Sequence, residues 1–455
     1  MLSLGIDVGT SGIRAMVLDD NSSCIAYCQK ALPDSQALYS SAQQIIGYSQ
    51  QPADWWCVFS DVLRLLKETL ELNTSYTMKD IQSLAIDGTS GTVLLADRDG
   101  RPCSEALMYN DQRAVQQAQA IRNKAEPDTA ATGVTSGLAK ILWLYEQGLH
   151  QDTDYSSKVF YALNQSDWLS GRLMAEFGHS DYNNALKMGY DAEQQCWPQW
   201  LSQLLETCNL STDYLPLVHP PGEILGVAAP DMVAKFGFHP DLKICAGTTD
   251  STAAIMATGA KDIGDAITSL GSTLVMKVIA DKPLYNQQYG VYSQPYGDKW
   301  LIGGASNSGG AVLKALFCAG EISDLTEQLN QQISHTRLSL LNLNYYPLLT
   351  PGERFPVQDP ALKPVLTPRP DRDIEYFQAI LEGMADIETR AYRLLLELGA
   401  PYPKHVSSIG GGANNGAWRY IREQKLGIPV CSAKQQEAAA GTALLARTHF
   451  ITQEQ

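Results

Sequence analysis

Leu4, Ile6 and Val8 alternate with other residues over the first stretch of the chain, the spacing of a β-strand. The small-residue turn "GTSG" (Gly9–Gly12) and a second apolar run, Ile13 to Leu18, complete a predicted hairpin. Near Ser83, "SLAIDGTSGTVLLADRDG" repeats the scheme of apolar alternation interrupted by Gly and small hydroxyls. Between the two, "WWCVFSDVLRLLKETLEL" (Trp55–Leu72) has apolar residues at helical spacing and predicts a surface helix packed on one face; "SGLAKILWLYEQG" predicts another. In the middle of the chain, "DLKICAGTTDSTAAIMATGA" reads as a short strand, a Gly-Thr-Thr-Asp turn and a small-residue helix from about Ser251. Directly afterwards "GDAITSLGSTLVMKVIAD" (Gly264–Asp281) returns to strand, small turn, strand. This echo of the N-terminus suggests two related halves meeting at a cleft, with a seam around residues 245–265. The last third is more helical. Ile374, Phe377, Leu381, Met384, Ala391 and Leu395 mark one face of a long helix ending at Gly399. A strand, three glycines and a helix follow in "VSSIGGGANNGAWRYIREQKLG", and "EAAAGTALLAR" predicts a final small-residue helix. The Pro-containing "YYPLLTPGERFPVQDPALKPVLTPRP" reads as an ordered but irregular connection.

At 455 residues, two or three domains are expected. A formal net charge of -15 argues against a nucleic-acid or anionic-membrane partner, because both favour basic surfaces. No apolar run approaches the roughly 20 residues needed to span a bilayer. The nine cysteines include no CxxC pair and no zinc spacing, so they are expected to be reduced, mostly buried thiols. With no basic, apolar leader before Leu2, the expected location is cytoplasmic.

Asp7 is the oddity in the first strand, since strands disfavour Asp and a buried carboxylate needs a partner. One reading is an incidental turn residue. The other treats Gly9, Thr10 and Ser11 as a phosphate cradle of backbone N–H groups, with Asp7 tolerated there because a Mg²⁺ ion offsets its charge. The stretch matches neither a Walker A loop nor a dinucleotide fingerprint. Gly271, Ser272 and Thr273 form a turn that gains meaning as a second such cradle. Asp250 stands where an N-cap is favoured, and also where a base is needed to take a proton from an attacking hydroxyl. Gly410 to Asn415 is either a helix entry or a close backbone approach to a flat ligand such as adenine. The Ser90 loop offers hydroxyls that suit a sugar as well as a turn, and His179 reads as structural or surface.

The order of "GIDVGTSGIRA", "AIDGTSG", "YNDQR", "HSDYNNALKMGYD", "AGTTDSTAA", "TSLGST", "GGASNSGGAVL", "GERFP", "LEGMADIETRAY" and "GGGANNGAWRYI" resembles that of the FGGY carbohydrate kinases, from Leu4 to Ala446. The resemblance implies an α/β fold of two ribonuclease-H-like (actin-like ATPase) domains flanking a deep cleft. The expected domains are 1–256, mainly for sugar, and 257–433, mainly for ATP, with 434–455 packing back on the first. It also implies a Mg²⁺-associated aspartate at Asp7 and phosphate hairpins at Gly9–Ser11 and Gly271–Thr273. Gly411, Gly412, Ala413 and Asn415 match the adenosine motif, Gly309 the facing loop and Asp250 the catalytic base. At the sugar loop, Thr89-Ser90 replaces the Arg-Glu pair of glycerol kinases, and the Gln and His of typical D-xylulose kinases are missing. Asp87 to Thr92 looks most like the branch that phosphorylates D-ribulose, with Ser90 reaching the substrate alongside Asp7 and Asp250. ATP, Mg²⁺ and a small sugar are the implied ligands, in a monomer or homodimer.

Overall fold

The computed structural model describes residues 1–126, 128–335 and 338–448. The chain divides into two compact units: Met1–Ala257 together with the segment from Glu437 onward, and Thr258–Gln436.

The first unit is built on a six-stranded sheet. Its strands are β1 (Leu2–Val8), β2 (Gly12–Leu18), β3 (Cys24–Ala31), β4 (Ile81–Gly88), β5 (Ile224–Val227) and β6 (Lys243–Thr249). Their order is β5-β6-β4-β1-β2-β3. The hairpin β1–β2 is antiparallel, while β1, β4 and β6 run parallel. Every residue of β1 is buried, Ser3, Gly5 and Asp7 included. The reason lies far away in the sequence: the helix Ala438–Ala446 packs flat on this strand. A Cβ on Gly5 would stand 2.0 Å from the Ala439 carbonyl oxygen, and one on Gly441 would stand 1.8 Å from that of Ala253. Only residues without bulk permit both approaches.

On the same unit, helix Pro52–Asn73 starts with Pro in its first turn and buries Trp55, Phe59, Val62, Leu63, Leu66 and Leu70, the face its periodicity predicts. A smaller sheet (Gln36–Tyr39, Ile45–Gln50, Ala106–Leu107, Val93–Ala96, Tyr161–Asn164) carries its own core around Leu138, Leu142, Tyr145 and Leu201. The Ser90 loop joins this sheet to β4.

The second unit repeats the scheme. Its strands are β7 (Asp265–Leu270), β8 (Leu274–Ala280), β9 (Tyr292–Tyr296), β10 (Lys299–Ser306), β11 (His405–Ile409) and β12 (Val430–Ser432), in the order β9-β10-β8-β7-β11-β12. Here β7–β8–β10 are successively antiparallel and β7, β11 and β12 parallel. The run β3-β2-β1-β4-β6 of the first sheet thus has the same order and directions as β10-β8-β7-β11-β12 of the second. The faint sequence echo is a repeated topology. Helix Asp373–Glu397 buries Ile374, Phe377, Leu381, Met384, Ala391 and Leu395 in this unit's core and is followed by Gly399 at φ +107°.

One expectation is corrected. All nine cysteines are free, but only Cys28 and Cys245 are buried. Cys24, Cys57, Cys196, Cys318 and Cys431 are exposed: the first, second and last face outward from their strands and helix, and Cys196 and Cys318 lie in connecting segments. Among the described residues no helix is long and apolar enough to cross a membrane.

Candidate active site

Ligands of open α/β sheets gather beyond the carboxyl ends of parallel strands. In the first unit three carboxylates stand there. Asp7 and Asp87 are register partners across β1 and β4, Thr248 pairs with Asp87, and Asp250 lies two residues further along that chain. The charge of Asp7 is met within its own hairpin: its Oδ2 accepts a hydrogen bond from Arg14 Nη1 at 2.8 Å, across the β1–β2 ladder. Asp87 is fully buried. Thr442 of the C-terminal helix donates to Oδ2, while Oδ1 has no hydrogen-bond partner among the described residues. Burial, then the neighbouring Asp7 carboxylate, hold the Asp87 pKa well above the usual range. Asp250 opens the helix Asp250–Ala257, and its Oδ1 accepts from the Ser251 N–H at 2.6 Å. Its pKa is pushed up to about 6, by burial first and by Asp7 second, against the pull of the Ser251 N–H and Lys187. A carboxylate at this value is ionised at neutral pH yet basic enough to accept a proton. The sequence marks Asp87 only as the start of the sugar loop and gives its carboxylate no role of its own, although "AIDG" repeating "GIDV" is the available signal.

In the Ser90 loop, Thr89 leans on Gln165 Oε1 through its N–H (3.4 Å) and hydroxyl (3.2 Å), and its hydroxyl meets that of Thr92 at 2.5 Å. Asp87, Gly88, Thr89, Gly91 and Thr92 are buried; Ser90 alone in this stretch is half-exposed. In the first hairpin, Gly9 N–H donates to Gly12 O at 3.0 Å and Gln50 Nε2 to Thr10 O at 3.0 Å. The backbone is pinned while Thr10 and Ser11 keep contact with solvent.

In the second unit three loops converge. The Gly310 and Ala311 N–H groups donate to Gly271 O (2.9 Å) and Ser272 O (3.1 Å), seating the Gly309 turn on the Gly271–Thr273 hairpin. A Cβ on Gly309, at φ +150°, would stand 2.6 Å from Ser272 O. Gly412 packs on Leu270 and Trp418, whereas a Cβ on Gly411 would meet nothing within 4 Å, and Gly411 is exposed. Ala413 is buried. Asn415 turns its amide inward: Oδ1 caps the next helix at Trp418 N (2.9 Å) and Nδ2 donates to Thr326 Oγ1 (3.0 Å). Its side chain therefore shapes the loop. Beside it lies a cavity of about 420 Å³ lined by Asn330, Ile333, Asn414, Arg419, Tyr420 and Glu423. Two buried acids that sequence reading passed over hold these loops. Glu353 accepts from Ser306 Oγ (2.6 Å), Asn307 N–H (2.7 Å) and Tyr346 Oη (3.0 Å). Glu388 forms a two-pronged pair with Arg422 (2.6 and 2.7 Å), whose remaining arm reaches Ser408 on β11.

The first unit thus holds carboxylates beside a hydroxyl loop, and the second holds glycine-lined backbone loops suited to phosphates and a flat base. The chain is similar to known proteins along almost its whole length. Residues 2–257 match the N-terminal domain, and residues 266–449 the C-terminal domain, of the FGGY family of carbohydrate kinases. It is 24% identical over 435 residues to the xylulose kinase of Escherichia coli (92% of this chain, 83% of that one). It is 22% identical over 438 residues to the gluconokinase of Bacillus subtilis (92% and 81%). Among solved structures, it shares its fold with the xylulose kinase of Rhodospirillum rubrum (TM-score 0.81, 20% identity, covering 99% and 90%). The glycerol kinase of Plasmodium falciparum with ADP is similar too (TM-score 0.84, 16% identity, 99% and 90%). The chain belongs to the FGGY family of carbohydrate kinases and is a phosphotransferase acting on a sugar hydroxyl.

Proposed function

We propose that this kinase transfers the terminal phosphoryl group of ATP to D-ribulose, giving D-ribulose 5-phosphate and ADP. The observation that carries the acceptor is the Asp87–Thr92 loop. It presents one half-exposed hydroxyl, Ser90, on a buried Thr89–Thr92–Gln165 frame, with neither the Arg-Glu pair of glycerol kinases nor the Gln and His of typical D-xylulose kinases. Asp250 takes the proton of the terminal sugar hydroxyl as its oxygen bonds to the γ-phosphorus and the bond to the ADP oxygen breaks. The backbone of Gly9–Ser11 and of Gly271–Thr273 orients phosphate oxygens, Gly309 allows its turn to sit against the second hairpin, and Gly411, Gly412, Ala413 and Asn415 shape the adenosine side.

A magnesium ion suits this arrangement. Asp7 and the unpartnered Asp87 Oδ1 offer oxygen atoms of the kind a hard cation takes, while no group of three or more His, Cys, Asp or Glu among the described residues forms a full cage. That matches a cation which keeps several waters. Asp7 would hold it, and it would neutralise phosphate charge when bound. D-xylulose is the second reading, favoured by the names of several relatives.

The test is ADP release from ATP and Mg²⁺ with D-ribulose, D-xylulose, L-ribulose, L-xylulose, D-gluconate, ribitol and glycerol. D-ribulose is expected to exceed the others in kcat/KM by at least about tenfold, a difference of roughly 1.4 kcal/mol in transition-state binding. Another acceptor in that position would move the assignment to it.

A further inference from the structure

The short helix Tyr182–Ala185 and the turn Leu186–Met188 clip together two parts of the acceptor side. Asp181 caps the helix, accepting from the N–H groups of Asn183 (2.8 Å) and Asn184 (3.0 Å). Asn183 Nδ2 donates to Thr248 Oγ1 at 2.9 Å and Asn184 Nδ2 to Thr248 O at 3.2 Å. The segment is therefore fastened to β6 two residues before Asp250. At its other end Lys187 Nζ donates to Ser90 O at 3.0 Å. The lysine stem lies along the same loop, its Cδ 3.2 Å from where a Cβ on Gly91 would stand.

The Ser90 loop needs such a fastening. Gly88 and Gly91 flank Thr89-Ser90, Gly91 sits at φ +85°, and glycine backbones lose the most freedom on being ordered. A charge-assisted hydrogen bond to the Ser90 carbonyl opposes that freedom at the residue assigned to the sugar. The same ammonium is close enough to Asp250 to favour its ionised form.

We propose that Lys187 is a positioning residue for the acceptor: it fixes the Ser90 loop against the strand that leads to Asp250. This rests on the reading of Ser90 and Asp250 as acceptor-side groups. The adenosine loops belong to the other unit, and this hydrogen bond of Lys187 goes to the Ser90 loop and not to the Gly9–Ser11 hairpin, so nucleotide affinity should not follow it.

Steady-state kinetics of wild type, Lys187→Met and Lys187→Arg test the proposal, with ATP and the best acceptor of the panel. Methionine keeps the packing stem and removes the donor. Lys187→Met should raise the acceptor KM about tenfold, the order expected for one charge-assisted hydrogen bond, and leave the ATP KM within about twofold. Lys187→Arg, which keeps a cationic donor, should stay within about threefold of wild type. An unmoved acceptor KM, an ATP KM that rises by the same factor, or an arginine variant no better than the methionine one overturns the proposal. A preserved rise in melting temperature with ADP verifies that each variant is folded. A wild-type protein inactive on every acceptor overturns the functional reading itself, whereas an active wild type indistinguishable from Lys187→Met overturns only the role of Lys187.

Discussion

Asp250 is held in an environment that disfavours its charge, and this has opposite consequences for activity and stability. Its pKa of about 6 exceeds the ordinary 3.8, so across that window the folded protein keeps a proton that the unfolded chain releases. Stability from this group is therefore full below the lower value and lost as pH rises through the higher one. The base, by contrast, works only when ionised. kcat/KM should fall about tenfold per pH unit below about pH 6 in a pH–rate profile. Asp250→Asn should lose about 10²–10⁴ in kcat, the usual range for a general base, while ADP binding is retained. The same variant should melt higher than wild type at pH 7.5 by scanning calorimetry, because a neutral amide escapes both burial of charge and the repulsion from Asp7. A variant that keeps most of its turnover would remove Asp250 from the role of base.

Close approach and buried pairing decide how the elements hold the site. The C-terminal helix reaches β1 and the helix after Asp250 only because Gly5 and Gly441 carry no Cβ, and it brings Thr442 to Asp87. Gly441→Ala should cost about 1–3 kcal/mol, as overpacking does, since the obstacle is the Ala253 backbone and not a movable side chain. Urea denaturation measures it. The Glu388–Arg422 pair, both 1% exposed, ties helices Asp373–Glu397 and Gly416–Leu426 to β7 through Thr268 and to β11 through Ser408. Arg422→Met leaves the buried Glu388 carboxyl without its cationic partner, and should lower stability by about 3–5 kcal/mol in the same experiment. Replacing both partners with apolar residues of similar volume should recover much of that loss.

At the scale of the molecule, the proposed acceptor groups Ser90 and Asp250 lie in the first unit and the proposed adenosine loops in the second, so the two ligands should be separable by mutation. A ligand at about 100 times its Kd stabilises the fold it binds by ~2.7 kcal/mol, which a melting curve registers. Gly411→Val places a side chain in open space, so the free protein should melt normally, while the rise caused by ADP should shrink and the rise caused by the acceptor persist. Ser90→Ala should do the reverse. Much of this was legible in the sequence. Periodicity marked the helices Pro52–Asn73 and Asp373–Glu397 with the faces they bury, and small-residue turns after apolar strands marked Gly9–Ser11, Gly271–Thr273 and the Gly410 loop. These are local properties, carried by residues adjacent along the chain. What depended on distant partners was decided only by tertiary structure. Arg14 answers Asp7 across a ladder, Thr442 reaches Asp87 from 355 positions away, and Lys187 meets the Ser90 carbonyl 97 positions back. Burial belongs to the same class: β1 is buried on both faces because a helix from the far end of the chain covers it, and most cysteines are not buried because the fold leaves them outside. A sequence states which groups are present and how they repeat, while solvation and charge at a site depend on which distant groups the fold brings within a few ångströms.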